Sequence, residues 1–447
     1  MNSQDRISKS ELKVAETLAI DGGVPVRTEP LPLEFPGVHH MDEEEKQAAL
    51  RVVRSRSLFR YYGVDHQGEV AAFESEFARF LGTSHALAVT SGTGALHVAL
   101  SALGVGPGQE IIVPAYLWVS VVSAIVSLGA IPVLADIDDS FALDPADLPR
   151  HITPRTTGII LVHMSGAAAD APALLKLARE HRLFLLEDCA QCAGGTIRGK
   201  KVGCFGDIGI FSFQMNKNIS SGEGGCLVTN DWRLYQRAVA CHDTGYARDG
   251  AGRAMFDDLN LCLWGRGYRL DELRAAILRV QLRKLPTIIR LMRKSKYRIR
   301  RELEQFPQLR LRRIIDTDGD TGSFLIVSFD NAETARKINQ ALRAEGVVTS
   351  SQGINDVVMT EWGLHIYYNI VSLVNKTSID THGYPWNLSE NRGSKASYSK
   401  GSCPVADSLF ERSILLAIPS CLTERDEDQI IAAFRKVLTY FFAAVTK

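Results

Sequence analysis

The run Phe211-Ser-Phe-Gln-Met-Asn-Lys-Asn-Ile-Ser-Ser-Gly-Glu-Gly-Gly225 places one lysine, Lys217, between an apolar, strand-like segment and a glycine-rich turn. Burial among apolar and small neutral residues disfavours the ammonium form, which lowers a lysine's pKa and makes its amine a usable nucleophile. A loop lysine is more often a solvated surface residue. The residues that precede Lys217 in the chain therefore decide between the two interpretations.

Composition and charge indicate a large globular protein. The chain has 447 residues, enough for roughly two or three domain-sized units. Lys plus Arg and Asp plus Glu each total 51, so the formal net charge is zero. This balance does not favour nucleic acid or an acidic membrane as a partner. Because the net charge is zero, a charged ligand must be bound by charged or polar groups gathered at one local site.

Cysteine usage and the first residues bear on the cellular compartment. Eight cysteines are scattered along the chain, and the start lacks the pattern of a signal peptide, so we expect a reducing cytoplasm and free thiols. The pair Cys189-Ala-Gln-Cys192 has redox or zinc-ligand spacing, but no second cysteine or histidine pair completes a metal site. We therefore expect both thiols to be buried without a chemical role, and no metal. Serines, Gly129 and Pro132 divide the apolar run 117–135 into a helix, a turn and a strand rather than a membrane span.

Short β-rich runs alternate with helical patterns in the first half of the chain. The predicted strands are 86–89, 110–113, 132–136, 158–162, 183–186, 208–213 and 226–229. This alternation is typical of a mostly parallel α/β sheet covered by helices on both faces. In such sheets ligands bind at the carboxyl ends of the strands.

The predicted domain organisation has three parts. Residues 1–40 are irregular and interrupted by prolines, and we expect an arm laid over another surface. Residues 41–285 form the large α/β domain, which ends where Pro286 interrupts a long helix. Residues 286–447 form a smaller C-terminal α+β domain. Its predicted elements are strands at 322–329 and 347–350, helices at 332–345 and 424–439, and a long polar loop, mobile or ligand-covering, at 375–405.

The segment Thr90-Ser-Gly-Thr-Gly94 follows a predicted strand and leads into an apolar helix. Such a junction exposes backbone N–H groups at a helix N-terminus, where a phosphate is well received. Ser91 or Thr93 could equally be a plain N-cap.

Pyridoxal phosphate needs the set of groups that fall at the predicted strand ends. Its phosphate needs N–H and hydroxyl donors, its ring nitrogen needs an anion, and its aldehyde needs a lysine for a Schiff base. The candidates are a phosphate cradle (Gly92, Thr93 and Ser212), a carboxylate after an apolar strand (Asp188), an aromatic face (Trp118) and Lys217.

Five motifs resemble, in order and spacing, those of the DegT/DnrJ/EryC1/StrS aminotransferase family. They are Ser91-Gly-Thr-Gly-Ala-Leu96, Pro114-Ala-Tyr-Leu-Trp-Val119, Glu187-Asp-Cys-Ala-Gln191, Gly206-Asp-Ile-Gly-Ile-Phe-Ser-Phe213 and Lys217-Asn-Ile-Ser-Ser-Gly-Glu-Gly-Gly225. The resemblance implies a fold-type I, pyridoxal-phosphate-dependent transferase. It also implies a homodimer with its site at the interface, a glutamate or glutamine donor, and a keto-sugar or keto-cyclitol acceptor in amino-sugar or antibiotic biosynthesis.

The resemblance also implies roles for single residues. Lys217 would form the Schiff base and shuttle protons, Asp188 would pair with the ring nitrogen, and Trp118 would stack on the ring. Gln191 would lie near the phenolic oxygen. The phosphate would be held by Gly92, Thr93 and Ser212.

Five further residues are candidate substrate contacts. His163 matches a family histidine near the cofactor, and a structural histidine is the alternative. Arg269 matches a family arginine that helps receive the donor's carboxylate, and a structural ion pair is the alternative. Phe59, Tyr61 and His365 are the remaining candidates, with core packing as the competing interpretation.

One position departs from the family pattern. Gly265-Arg-Gly-Tyr-Arg-Leu270 has Gly267 where many members carry an asparagine that reaches the partner subunit's phosphate, so the grip across the dimer interface is in doubt. Three other readings compete with the aminotransferase. A sugar dehydratase of the same fold would have histidine in place of Lys217. The other two are a non-catalytic family member that acts as a partner or regulator, and a thiol redox protein. The identity of the acceptor stays open.

Overall fold

The centre of the protein is a seven-stranded sheet. The structure, a computed structural model, describes residues 17–249, 252–349 and 356–443. The first nine strands are β1 (His85–Val89), β2 (Glu110–Pro114), β3 (Ile131–Ala135), β4 (Thr156–Val162), β5 (Phe184–Asp188), β6 (Thr196–Ile197), β7 (Lys200–Lys201), β8 (Ile208–Ser212) and β9 (Gly225–Thr229). The order in the sheet is β1-β9-β8-β5-β4-β2-β3, and β6 and β7 pair separately as a small hairpin. All seven predicted strands are present, with ends within two residues of the prediction.

The direction of the strands brings the candidate site residues to one edge. Strands β2, β3, β4, β5 and β8 pair in parallel, and β9 is antiparallel to both β1 and β8. The carboxyl ends of six strands and the start of β9 therefore share an edge. The predicted α/β class with a mostly parallel sheet is confirmed.

Helices cover both faces of the sheet and the C-terminal part. They are α1 (Glu43–Ser55), α2 (Glu69–Leu81), α3 (Gly92–Ala102), α4 (Val119–Ser127), α5 (Ala171–Glu180), α6 (Trp232–His242), α7 (Glu272–Leu303), α8 (Ala332–Ala344), α9 (Val371–Val374), α10 (Pro404–Glu411) and α11 (Glu424–Ala443). One apolar core lies on each face of the large sheet. No helix in the described ranges is both long enough and apolar enough to cross a membrane.

A second, smaller sheet is antiparallel throughout. Its strands are β10 (Arg310–Leu311), β11 (Phe324–Ser328), β12 (Asp356–Val358) and β13 (Ser413–Ala417), in the order β10-β11-β13-β12. Helices α8 and α11 pack against it around a third core. The strand predicted at 347–350 is reduced to a single bridge between Thr349 and Leu31, and residue 350 lies outside the described residues.

The predicted interruption at Pro286 is wrong, because α7 continues through it to Leu303. A proline inside a helix costs about 3 kcal/mol through its missing N–H and its ring. Packing offsets this cost. Ile288 and Met292 are buried in one of the two cores of the large sheet, and Ile299 is buried in the core of the small sheet. The burial of each of these side chains contributes about 1.5–3 kcal/mol. The three-part division of the chain remains a prediction, and its boundary at 285 falls inside this helix.

The two irregular segments are both held by hydrogen bonds. In the arm, the N–H groups of Ala19 and Val26 donate to Glu345, and the N–H of Gly37 donates to the carbonyl of Lys217 (3.3 Å). In the loop at 375–405, Asn391 donates to the carbonyl of Gly129. This loop therefore docks near the start of β3, and none of its residues lines the cavities beside Lys217 described below.

Candidate active site

The connection between β8 and β9 carries Lys217 at the shared edge of the sheet. The loop is closed by the N–H of Phe213, which donates to the carbonyl of Gly224 (2.8 Å). Where β9 begins, Gly225 passes so close to β1 that an added Cβ would lie 2.2 Å from the carbonyl oxygen of Ser91. Only glycine permits this approach, which brings the lysine loop against the start of α3.

The surroundings of Lys217 lower the pKa of its amine. Desolvation lowers the pKa of Lys217 to about 8, against the opposing effect of the carboxylates of Asp188 and Glu223. The expectation that this lysine is shifted toward the neutral amine is therefore supported by the structure.

We expect the apoprotein to capture pyridoxal phosphate with a pH midpoint near 8. At pH 7.5 about a quarter of an amine with that pKa is neutral, against about 0.1% for an ordinary lysine. The measurement is the initial rate of cofactor uptake, followed by visible absorbance between pH 6 and 10. A midpoint above 10 would show that Lys217 is an ordinary solvated lysine.

The carboxylate of Asp188 ends β5 and lines the same cavity as Lys217. It is 3% exposed, and its Oδ1 accepts a hydrogen bond from the N–H of Ala190 (3.0 Å). Burial raises the pKa of Asp188, while the N–H of Ala190 and the charge of Lys217 oppose that rise. A cationic ring nitrogen next to this carboxylate would favour its charged form further.

The end of β1 and the start of α3 form a cradle for an anion. Ser91 is the N-cap of α3, and its Oγ accepts from the N–H of Gly94 (3.0 Å), so the N-cap alternative is correct for Ser91. Thr93 Oγ1 lies 2.7 Å from Ser120 Oγ. An added Cβ on Gly92 would lie 2.7 Å from the Cβ of Ser212, so the backbone of Gly92 packs directly against the side chain of Ser212. The helix N-terminus contributes partial positive charge here.

Trp118 and His365 form an aromatic wall over the cavity. Their ring centroids are 4.6 Å apart, and His365 stacks on Trp362 at 4.5 Å. His365 Nδ1 donates to the carbonyl of Trp362, so its Nε2 accepts from the amide of Gln191 (3.1 Å). Gln191 Oε1 in turn accepts from the N–H of Ser165 (3.0 Å). Burial lowers the pKa of His365 to about 3, which keeps the ring neutral.

His163 lies behind the site and lines neither cavity beside Lys217. Its Nδ1 accepts from the N–H of Ala169 (3.0 Å), so its Nε2 donates to the carboxylate of Glu187 (3.0 Å). Glu187 also accepts three backbone N–H groups, from Gly203, Phe205 and Gly206. Both ring nitrogens of His163 are occupied, which matches the structural alternative rather than a substrate contact.

The remaining predicted contacts, Phe59, Tyr61 and Arg269, lie apart from Lys217. Together with Tyr62 and Arg248 they form a separate aromatic–arginine cluster. Phe59 packs edge-on against Tyr61 and Tyr62. The guanidinium of Arg269 lies 5.7 Å from the centre of the Phe59 ring. No member of this cluster is among the described residues that line the cavities beside Lys217.

The alternative predicted for Arg269, a structural ion pair, is present. Its guanidinium donates to Asp243 (2.7 Å), which also pairs with Arg248. Gly267 nearby has φ +69°, and an added Cβ would meet no atom within 4 Å. Asparagine tolerates this left-handed conformation, so the backbone at position 267 would accommodate the family residue.

The cysteine pair has the character of packing residues. Cys189 and Cys192 are buried free thiols, and desolvation raises the pKa of both. A raised pKa leaves little thiolate, which is the reactive form. Cys189 lies with His163 and Glu187 in a group whose ligand atoms fall within 4.8 Å of one another. Because the oxygens of Glu187 already accept four hydrogen bonds, this group is a structural hydrogen-bond network rather than a metal site.

Two adjoining cavities meet at Lys217. The inner cavity, about 460 Å³, is lined by the cradle, Asp188 and Lys217. The outer cavity, about 320 Å³, opens toward the arm and the small sheet. Both are bordered by Trp118, Gln191, Asn216, Lys217 and His365.

Sequence reasoning missed several residues that line these cavities. The missed lining residues are Glu34, Ser120, Asn216, Glu223, Ser323, Glu361 and Trp362. Asn216 and Glu223 lie in the quoted lysine run, so proximity to Lys217 was an available signal. Glu34 and Glu361 are far from it in the chain, and no local pattern marks them.

Residues 39–354 match the model of the DegT/DnrJ/EryC1/StrS aminotransferase family, which is most of the chain. The chain belongs to this family. The aminotransferases of the family depend on pyridoxal phosphate and pair an amino donor with a keto acceptor. The predicted family and fold type are therefore confirmed.

The chain is similar to two curated relatives and to one solved structure. L-glutamine:2-deoxy-scyllo-inosose aminotransferase of Streptoalloteichus tenebrarius is 39% identical over 60% of this chain and 63% of its own. GDP-perosamine synthase of Vibrio cholerae is 41% identical over 53% and 62%. DesV of S. venezuelae superposes with a TM-score of 0.74 at 28% identity, covering 92% of this chain and 99% of that chain. The chain thus spans somewhat less than two thirds of the length of the curated relatives it matches.

The inner cavity fits the cofactor of the DegT/DnrJ/EryC1/StrS family. Each part of pyridoxal phosphate has a matching group there: the amine of Lys217, the buried carboxylate of Asp188, the exposed face of Trp118 and the cradle at Gly92. Trp118 is 40% exposed, so its indole is open to contact with a ligand in this cavity. The donor set is therefore chemically suited to this group.

Proposed function

We propose that this protein is a pyridoxal-phosphate-dependent aminotransferase that moves an amino group from glutamate or glutamine to a keto sugar or keto cyclitol. The observation that carries the proposal is the shared lining of one cavity by Lys217, Asp188 and the start of α3. The relatives named above act in the formation of amino sugars and aminocyclitols, which supports a role in amino-sugar or antibiotic biosynthesis.

Each group at the site has one task in this reaction. When bound, the cofactor supplies an electron sink that lets a C–H bond beside nitrogen ionise. Lys217 holds the cofactor and then, as a free amine, takes and returns the proton at its Nζ. Asp188 keeps the ring nitrogen protonated. Gln191, held by hydrogen bonds to Ser165 and His365, would lie near the phenolic oxygen of the bound cofactor.

The phosphate end needs no cationic side chain from the same subunit. The N–H groups at the start of α3 and the hydroxyls of Thr93 and Ser212 provide donors for three oxygens. The aromatic wall of Trp118 and His365 excludes water from one face of the inner cavity.

The apolar surface supports a homodimer with the site at its interface. Several large apolar side chains of the segments 58–64, 246–249 and 252–264 are exposed, and Trp264 is 94% exposed. Exposed apolar patches of this kind mark interaction surfaces. Four members of the aromatic–arginine cluster belong to these segments. In a homodimer with its site at the interface, a second copy would bring the arginines of this cluster toward the partner's cavities. This arrangement would give Arg269 the donor-binding role that it lacks within one subunit.

The test is the visible spectrum of the purified protein. We expect a yellow protein whose visible absorption band, due to the lysine-bound cofactor, is lost on adding glutamine or glutamate. Restoration of the band by a keto cyclitol or keto sugar completes the cycle. A protein that takes up no cofactor would instead be a non-catalytic family member, and amine-independent loss of water from a sugar would indicate a dehydratase, which Lys217 argues against.

A further inference from the structure

Ser165 lies in a strained, buried turn, Met164–Gly166, just after the end of β4. Its backbone has φ +53° and ψ +43°, a left-handed conformation that residues other than glycine adopt only at a cost. Ser165 is fully buried, and its Oγ lies 2.7 Å from the hydroxyl oxygen of Tyr116. Strained residues persist only where their neighbours determine the conformation, and they concentrate at functional sites.

The peptide group between Met164 and Ser165 is held at both of its ends. Its carbonyl accepts a hydrogen bond from Nη1 of Arg312 (2.9 Å), and its N–H donates to Oε1 of Gln191 (3.0 Å). Because a peptide group is planar, the bond that fixes its carbonyl also fixes the direction of its N–H. Hydrogen bonds that are joined through one peptide group also strengthen each other. Arg312 can therefore direct Gln191 through a single peptide group.

Arg312 is a buried cation that follows β10 and is only 4% exposed. Its hydrogen bonds all go to backbone carbonyls, those of Ser140, Met164 and Ser165. Asp320, a carboxylate whose charge acts on Arg312, is already paired with Lys296. The Nη2 of Arg312 is buried and has no hydrogen-bond partner among the described residues. Burial of a cation without a paired carboxylate is unfavourable, so packing alone does not account for an arginine at this position.

The orientation of the Gln191 amide is fixed by two partners that each act in one direction. The backbone N–H of Ser165 can only donate, so Oε1 of Gln191 must face it. The Nδ1 of His365 donates to the carbonyl of Trp362 (3.0 Å), so Nε2 of His365 accepts, and the NH₂ group of Gln191 must face it. This bond uses one N–H of the amide, and the second N–H has no partner among the described residues. Because Gln191 borders both cavities, that second N–H is a donor for a ligand.

We propose that Ser165, Tyr116 and Arg312 are positioning residues that hold the Gln191 amide with one N–H toward the place of the cofactor's phenolic oxygen. This inference rests on the proposed function for the place of the cofactor, and on the contacts above for the orientation of Gln191. An N–H that donates to the phenolic oxygen stabilises negative charge there, so this oxygen attracts the neighbouring proton of the lysine Schiff base less strongly. An amide that turns over presents its oxygen instead, and the proton is then held more tightly.

The pH titration of the visible absorption band of the cofactor-loaded protein tests the proposal without turnover. We expect Arg312→Met to raise the midpoint by about 0.5–1 pH unit, the size of one hydrogen bond, and Tyr116→Phe to raise it by about half as much. Arg312→Lys keeps a donor for the Met164 carbonyl and should give an intermediate midpoint. In a Gln191→Met background, Arg312→Met and Tyr116→Phe should cause no further shift, because the group through which they act is absent.

A matched control separates positioning from general stability. Ser413→Ala removes the bond between the hydroxyls of Ser413 and Ser328 (2.7 Å), which is also buried and has the same length as the bond between Tyr116 and Ser165. This variant should be about as sensitive to urea as Tyr116→Phe and keep the original midpoint. Equal midpoints in the unaltered protein and in Tyr116→Phe would overturn the proposal, even where Arg312→Met does not fold. A Tyr116→Phe shift that persists in the Gln191→Met background would also overturn it.

Nitrogen NMR of His365 in the cofactor-free protein keeps this inference apart from the proposed function. We expect the neutral ring to carry its proton on Nδ1, the minor form of free histidine, because Gln191 donates to Nε2. Tyr116→Phe and, more strongly, Arg312→Met should increase the share of rings protonated on Nε2. If these changes occur in a protein that binds no cofactor, the proposed function fails and the control of Gln191 stands. If glutamine bleaches the bound cofactor and neither His365 nor the midpoint responds, the proposed function stands and the positioning role fails.

Discussion

Replacing Lys217 by methionine is expected to lower the rate of amine transfer by at least about 10³-fold, because proton transfer and nucleophilic catalysis are lost together. Methionine has a similar length and no amine, so the volume of the loop side chain is nearly kept. The cradle at Gly92 and the carboxylate of Asp188 remain, and the variant should still bind the cofactor without a covalent bond. Single-turnover absorbance with glutamine measures the loss.

The role of Lys217 as a proton carrier has its own control. In Lys217→Ala, a small primary amine such as methylamine should enter the space left by the side chain and restore part of the rate. Rescue that rises with the concentration of neutral amine is a signature that a purely structural role would not produce. Lys176→Met alters an exposed lysine on α5 and should leave the rate unchanged. Retention of more than a tenth of the rate in Lys217→Met would contradict the assignment.

Replacing Asp188 by asparagine is expected to slow the donor reaction by about 10²–10⁴-fold. The amide keeps the size of the side chain, and its oxygen can still accept from the N–H of Ala190. It carries no negative charge, so it cannot hold the ring nitrogen protonated. Cofactor affinity should change less than the rate, since the phosphate cradle is untouched. Comparing the single-turnover rate with the cofactor dissociation constant makes the distinction.

The same substitution should shift the titration of Lys217. The carboxylate of Asp188 raises the pKa of Lys217 against the effect of burial, so its removal should move the midpoint of cofactor uptake below pH 8. A variant with an unchanged midpoint and an unchanged rate would place the carboxylate of Asp188 outside the reaction.

The large sheet and the inner cavity were predictable because their signals are local. Each strand is a short apolar run, and the predicted polar residues Asp188 and Ser212 are the last residues of their strands. Parallel pairing then brings Asp188, Ser212 and the Gly92 turn to one edge without further information. Lys217 was predictable for the same reason, since its loop joins two neighbouring strands.

The features that sequence reasoning missed depend on contacts between distant segments. Proline normally ends or kinks a helix, so Pro286 alone predicts a break. Helix α7 continues past Pro286 because its side chains are buried in the apolar cores of both sheets. Glu34 and Glu361 meet in the outer cavity although more than 300 residues separate them. The aromatic–arginine cluster is complete within one subunit but lines no cavity there, so its proposed role needs a second chain that one sequence does not display.

The course of α7 has a consequence for how the protein is dissected and how it folds. The second half of the helix buries Ile299 and Leu303 in a core that also contains Leu416 of β13, which is synthesised more than a hundred residues later. A fragment that ends at residue 285 would lack the part of α7 that spans both cores. We therefore expect the two sheets to melt in one cooperative transition, and limited proteolysis to release no stable large-domain fragment cut within this helix.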